Sequence, residues 1–169
     1  SIELGAFYLD VIKDRQYTAK ADGVARRSCQ TAMYHIVEAL VRWMAPITSF
    51  TAQEIWESLP GERSEFVFTE TWYEGFNDFT QSDTFNDALW HQVLRVKDAA
   101  NQAMEQARKD GTLGGSLEAT ISLYATESLY NVLAKLEDEL RFVLITSGVT
   151  LEKVDSAPSD AKATDVEGL

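Results

Sequence analysis

The run ADGVARRSCQTAMYHIVEALVRWMAP, residues 21–46, decides how the rest of the chain is read. Its apolar positions Ala25, Cys29, Ala32, Ile36, Leu40 and Trp43 recur at steps of three and four, the period of an α-helix rather than the alternation of a strand. A helix from about Asp22 to Met44 would be roughly 35 Å long, enough to organise a bundle. Asp22 is the expected N-cap, with Gly23 weakening that end. Pro46 lacks a backbone donor, so the helix must end or kink there.

On the N-terminal side, Leu4, Tyr8, Val11 and Ile12 predict a first helix over residues 2–17, followed by a short polar break from Thr18 to Asp22. On the other side, PITSFTAQEIWESLPG (46–61) resumes helical spacing through Ile47, Phe50, Ile55 and Leu59. Thr51 and Glu54 have the form of a capping box, and Pro60 with Gly61 closes the segment. Residues 61–82 form an aromatic-rich connector, whose Phe66, Phe68, Trp72, Tyr73, Phe76 and Phe79 are expected to pin it to the bundle surface.

A second long helix is predicted from Thr84 to Asp110, with Leu89, Val93, Val96, Ala100, Ala103 and Ala107 on one stripe. The period then changes. LEATISLYA (117–125) and FVLITSGVTLEKV (142–154) read as strands flanking a helical stretch, ESLYNVLAKLEDELRFVL (127–144). The expected fold is mainly α: a helical bundle over 1–110, a small α/β subdomain over 111–154, and a mobile tail over 155–169, where the residues are small, polar and acidic.

The 169 residues suffice for one core or two small ones, and 45% apolar with 25% charged residues lies in the globular range. A single cysteine, Cys29, allows no internal disulfide, which fits a reducing compartment. No run approaches the roughly 20 apolar residues of a membrane span, and Glu3 stands where a secretory leader would be positive. The expectation is a cytoplasmic, monomeric chain without a membrane partner. The amphipathic start without methionine suggests a piece of a larger protein or a processed one.

Most candidate chemistry reads more simply as structure. His35 and His91 lack a third partner at metal-ligand spacing, so no metal and no catalytic residue is expected. Cys29 and His35 are poorly placed on a helix to act as a nucleophile and base. DGTLGGSLEA (110–119) lacks the ending of a phosphate-binding loop and reads as a helix stop at Gly111, with a positive-φ turn near Gly114 and Gly115. The consecutive Glu137, Asp138 and Glu139 read as a solvated face.

VIKDRQYTAKADGVARR (11–27) is the exception. Lys13, Arg15, Lys20, Arg26 and Arg27 face only Asp14 and Asp22, in a protein of net charge −12. A local basic surface attracts a polyanion even when the total charge is negative. Lys13 and Arg15 also fall in the last turn of the first helix, where cations offset the helix dipole.

FYLDVIKDRQYTAKAD (7–22), LVRWMAPITSFTAQEIWESLPG (40–61) and ARKDGTLGGSLEATISLY (107–124) resemble, in this order and spacing, the C-terminal region of bacterial isoleucyl-tRNA synthetase. The resemblance covers essentially the whole chain. It implies an anticodon-binding helical bundle with a small mixed subdomain, gripping the anticodon stem and loop of an isoleucine tRNA and joined to the catalytic body of the same polypeptide. The whole enzyme of that family uses ATP and Mg2+ to attach isoleucine to its tRNA. The HIGH and KMSKS motifs of its catalytic domain do not occur here. By the resemblance this chain alone should be inactive in aminoacylation and hold no cofactor. Family members often continue into a cysteine-rich Zn2+ module that also touches the anticodon, so readout by these residues alone is expected to be incomplete.

The residues expected to meet tRNA phosphate are Lys13, Arg15, Lys20, Arg26 and Arg27, then Arg42, Lys97 and Arg108. Tyr17 is a candidate for stacking on a splayed base. Trp43 could also stack, but its place on the apolar stripe favours core packing. The alternative is a helical bracing or protein-interaction module without RNA binding of its own, which the acidic balance and aromatic connector support.

Overall fold

The computed structural model describes residues 3–76 and 84–169, which belong to two compact units, Ser1–Asn77 and Asp78–Leu169. The fold is mainly α with one small parallel sheet. No helix among the described residues is long and apolar enough to cross a membrane.

The first unit opens with a π-helical turn, Glu3–Tyr8, and two short helices, α1 (Leu9–Val11) and α2 (Lys13–Tyr17). Ile12 between them is buried, and α2 packs on α3 (Val24–Met44), where Gln16 donates to the Cys29 sulfur. The cap of α3 is Gly23 in extended conformation, with no side-chain bond, rather than the expected Asp22. The Asp22 carboxylate is one residue too early and instead pairs with Lys20 at 3.2 Å.

Helix α3 is also turned relative to the expected stripe. It buries Cys29, Glu38, Ala39 and Val41, leaving Ala25 and Trp43 exposed. Apolar residues lie around much of its circumference, and the face carrying Glu38 can go inward because arginines neutralise that carboxylate. Beyond Met44, the N–H groups of Ile47 and Thr48 both bond back to the Met44 carbonyl, at 2.9 and 2.8 Å. The chain therefore turns at once, and α4 (Ser49–Ser58) starts with Thr48 as its cap. Thr51 thus lies within α4, and the expected capping box with Glu54 does not form.

Val41, Ala45, Ala52, Trp56 and Val67 form the core of this unit, with Ile55 and Leu59 at its edge. Val67 enters from a 3-10 turn, Val67–Thr69, in the connector. Its N–H bonds to Gln53 Oε1 at 3.1 Å, and Trp56 Nε1 donates to the Ser64 carbonyl at 2.9 Å. Small Val67 is the buried anchor of the connector, while the pinning expected of the aromatic side chains falls to Tyr73, against His35, and Trp72, against Trp43. Phe66, Phe68, Trp72 and Phe76 are exposed, Tyr73 is half-buried, and Phe79 lies outside the described residues.

In the second unit α5 (Asp87–Lys109) is capped by Asn86, whose side chain accepts from the Leu89 N–H at 3.0 Å. It buries Leu89, Val93, Val96, Ala99, Ala100 and Met104. The expected boundary at residue 110 placed this helix with the bundle. In the structure it groups with the mixed elements that follow, packing on α6 (Glu127–Leu133) and α7 (Leu140–Leu144). Gly111 ends α5 with φ of +74°, as expected of a helix stop, but neither Gly114 nor Gly115 has a positive φ.

Strand β1 (Thr120–Ala125) follows a 3-10 turn, Ser116–Glu118, and pairs in parallel with β2 (Gly148–Lys153), in register from Thr120 opposite Gly148 to Ala125 opposite Lys153. A parallel pair needs a crossover, here built from α6, a 3-10 segment (Ala134–Glu139) and α7. The residues FVL of the expected second strand are helical because Val143 and Leu144 are needed in the core. Ile145, in left-handed conformation, then ends α7. The expected mobile tail is packed: Val166 is buried, and the Gly168 carbonyl accepts from the Thr126 N–H at 2.8 Å. An apolar valine and a main-chain bond hold what composition alone marked as loose.

Candidate nucleic-acid interface

The basic run occupies α2, the turn after it and the first turn of α3. Ala19 and Thr18 both bond back to the Asp14 carbonyl, at 3.0 and 2.9 Å, and the Gly23 N–H bonds to Lys20 at 2.9 Å. This tight turn sets the end of α2 beside the start of α3. The 21-residue α3 has no acidic residue in its first turn and no side-chain cap, so its positive dipole end adds to the side-chain charges.

Within that surface the cations differ. The exposed guanidinium of Arg27 has no ion pair among the described residues. Arg26 is half-buried, donates to the Ala19 carbonyl at 3.3 Å, and has a buried Nε with no acceptor among the described residues. Lys13 pairs with Asp10, which holds its ammonium above the ordinary lysine range through that hydrogen bond, and Lys20 pairs with Asp22. Both pairs are exposed, and such pairs are worth little in water, so a phosphate can displace them. Arg15 is half-buried, close enough to Tyr8 to oppose the rise that burial causes in its phenol. Tyr17 projects from the same turn, 83% exposed.

Arg42 is placed differently. Its side chain donates to the Glu38 carbonyl at 2.7 Å and to the Glu38 carboxylate, and reaches Glu70 at 3.4 Å. Arg63 bonds the other Glu38 oxygen at 3.1 Å, and the two guanidinium carbons lie 4.8 and 4.4 Å from the Trp56 ring centroid. Burial would raise the Glu38 carboxyl, but hydrogen bonds from Arg42, Tyr34 and Arg63 outweigh it and hold it below the ordinary carboxylate range. Arg42 is thus committed to an internal network that fastens the connector to α3 and α4. His35 also takes part in this fastening, through Nδ1 and the Tyr73 hydroxyl.

Sequence reasoning missed Glu38 and Arg63. Their signal was partial: Glu38 and Arg42 stand four apart on one helix, the spacing of a side-chain pair, but nothing in sequence announces Arg63. Lys97 and Arg108 belong to the second unit, where Lys97 is half-buried and Arg108 pairs with Glu105 at 2.7 Å. Trp43, expected in the core, is exposed and meets Trp72 with ring centroids 6.5 Å apart.

Comparison with known proteins follows the same lines. Residues 1–123 match the family described as the anticodon-binding domain of tRNA ligase. The whole chain is 64% identical to isoleucine–tRNA ligase of Pseudoalteromonas atlantica, and 59% identical to those of Pectobacterium atrosepticum and Edwardsiella ictaluri. It spans 18% of the length of each of these relatives. With the match covering well over half its length, this chain belongs to the family of tRNA-ligase anticodon-binding domains.

Proposed function

We propose that the chain grips the anticodon stem and loop of an isoleucine tRNA, as the anticodon-binding part of a cytoplasmic isoleucine–tRNA ligase. The observation that carries this reading is the junction of α2 and α3, where Lys20, Arg26 and Arg27 lie at the positive end of a long helix in an otherwise acidic chain, with Lys13 at the start of α2. Phosphate contacts at such a junction position the RNA, while an exposed ring such as Tyr17 offers a stacking surface for an unpaired base. Arg15 borders the junction. Lys97 and Arg108 would serve as further contacts from the second unit, and Arg42 would act by holding the scaffold.

ATP and Mg2+ chemistry belongs, on this reading, to the rest of the ligase. Among the described residues no group of three or more His, Cys, Asp or Glu side chains is placed to hold a metal ion.

The test is binding of an isoleucine-tRNA anticodon stem-loop beside the same stem with a scrambled loop, over a salt series. The expected result is preference for the native loop, with affinity falling steeply with salt and further in the Arg26→Glu, Arg27→Glu double variant. Equal or absent binding to both RNAs overturns the anticodon reading.

A further inference from the structure

We propose that the open edge of β1, in the second unit, takes an extended polypeptide strand as a third member of the sheet. The site shares no residue with the junction of α2 and α3, so this reading and the RNA reading stand or fall separately.

The sheet has two strands, and β1 has β2 on one side alone. Main-chain groups of successive residues in a strand point to opposite edges. The Ala125 carbonyl accepts from the Val154 N–H at 2.9 Å, toward β2, and the Thr126 N–H points the other way. Thr120, Ser122 and Tyr124 share the direction of Thr126, and among the described residues their N–H and C=O groups meet no partner at that edge. A row of this kind is a template for another strand. Main chain already pairs with one end of it, where the Gly168 carbonyl accepts from the Thr126 N–H at 2.8 Å.

Beside the edge lies a groove of about 500 Å3, lined by residues 121–124, by Ala99, Ala100 and Ala103 on α5, and by Ala161 and Leu169. The alanines project one carbon each, which leaves room for a main chain at the usual strand spacing of about 4.8 Å from β1. A compact apolar molecule would fill the groove but leave the strand groups unpaired. An extended peptide satisfies both, with its main chain on the edge and alternate side chains on the alanine wall. The charged side chains lining the groove are Asp160 and Lys162, one of each sign, so recognition falls to the main chain rather than to charge.

The experiment titrates the full chain with acetyl-Thr-Val-Thr-Val-Thr-amide, a β-favouring sequence, and with its counterpart N-methylated at every amide, which keeps the side chains and loses every donor. Backbone amide NMR follows binding up to millimolar peptide. The expected result is saturable binding, insensitive to salt, with shifts confined to β1, α5 and residues 157–169. Binding should be about tenfold weaker for Ser122→Pro, which removes an edge donor, and for Ala103→Leu, which fills the groove. Proline with its nitrogen toward the open edge leaves the β1–β2 ladder intact, and the β2 amide signals check this for each variant. The proposal is overturned if the peptide fails to bind or binds the variants equally. Equal binding of the N-methylated peptide also overturns it, by making the groove an apolar pocket. So does a dimer of the chain, seen by sedimentation, that Ser122→Pro dissolves, which would give the edge to a second copy.

Discussion

Arg63, in the connector, reaches Glu38, on α3, with 3.1 Å between its Nη2 and the carboxylate Oε1, and both side chains are almost wholly buried. Twenty-five residues apart in sequence, they close a ring with Arg42 and Trp56 that decides how the connector is held.

Removing the hub of that ring should be costly. Glu38→Ala leaves the buried Arg63 guanidinium without a carboxylate and Arg42 with Glu70 alone, and an unpaired buried charge costs about 3–5 kcal/mol. Urea unfolding of the chain measures this as a lowered midpoint. A midpoint within error of the parent would remove the structural role assigned to Glu38.

The same residue makes a pH prediction. Its carboxyl is held below the ordinary range in the folded state, so its stabilisation is complete above the unfolded-state pKa and is lost as pH falls through the folded one. The Glu38→Gln variant should therefore lose less stability than the parent on acidification below about pH 4. Parallel stability curves for the two proteins across that window would contradict the assignment.

Among the basic residues, Arg27 and Arg42 should separate cleanly. Arg27→Ala should weaken binding of the anticodon stem-loop and reduce the salt slope by about 1 for each lost phosphate contact, with unfolding unchanged. Arg42→Ala should lower the unfolding midpoint, because it vacates contacts to Glu38, Glu70 and Trp56. The reverse pattern in the paired binding and melting measurements would show the roles to be exchanged.

Two glycines in one loop should respond unequally to alanine. An added Cβ meets nothing within 4 Å at either Gly111 or Gly115, but only Gly111 has a positive φ. Gly111→Ala should cost about 1–2 kcal/mol through backbone strain alone, and Gly115→Ala close to nothing. Thermal unfolding of the two variants side by side decides it.

The tail should matter to the second unit. Val166→Ala removes a buried side chain next to the Gly168–Thr126 main-chain bond and should cost about 1–2 kcal/mol, again read from unfolding. A change near zero would return residues 155–169 to the loose tail that their composition suggested.

What could be read in advance followed from local physics. Helical period placed α3, α4 and α5 because covalent spacing alone puts residues three and four apart on one face. Gly111 as a helix stop was legible because only glycine takes a positive φ without cost. The change of period after Gly115 was legible for the same kind of reason, although where each strand begins was not. The five-cation run was visible as a departure from the overall charge, and the resemblance pointed to the family that the comparison established.

The sequence by itself thus determined the helices α3, α4 and α5, the helix stop at Gly111, and where positive charge gathers. Only the tertiary structure decided which face of α3 goes inward, and it chose the one with a carboxylate. Arg42 one helical turn away and Arg63, twenty-five residues on, satisfy Glu38 there, and that leaves Trp43 exposed and Arg42 bound. Burial of a charge depends on partners that arrive from elsewhere in the chain, and periodicity carries no information about them.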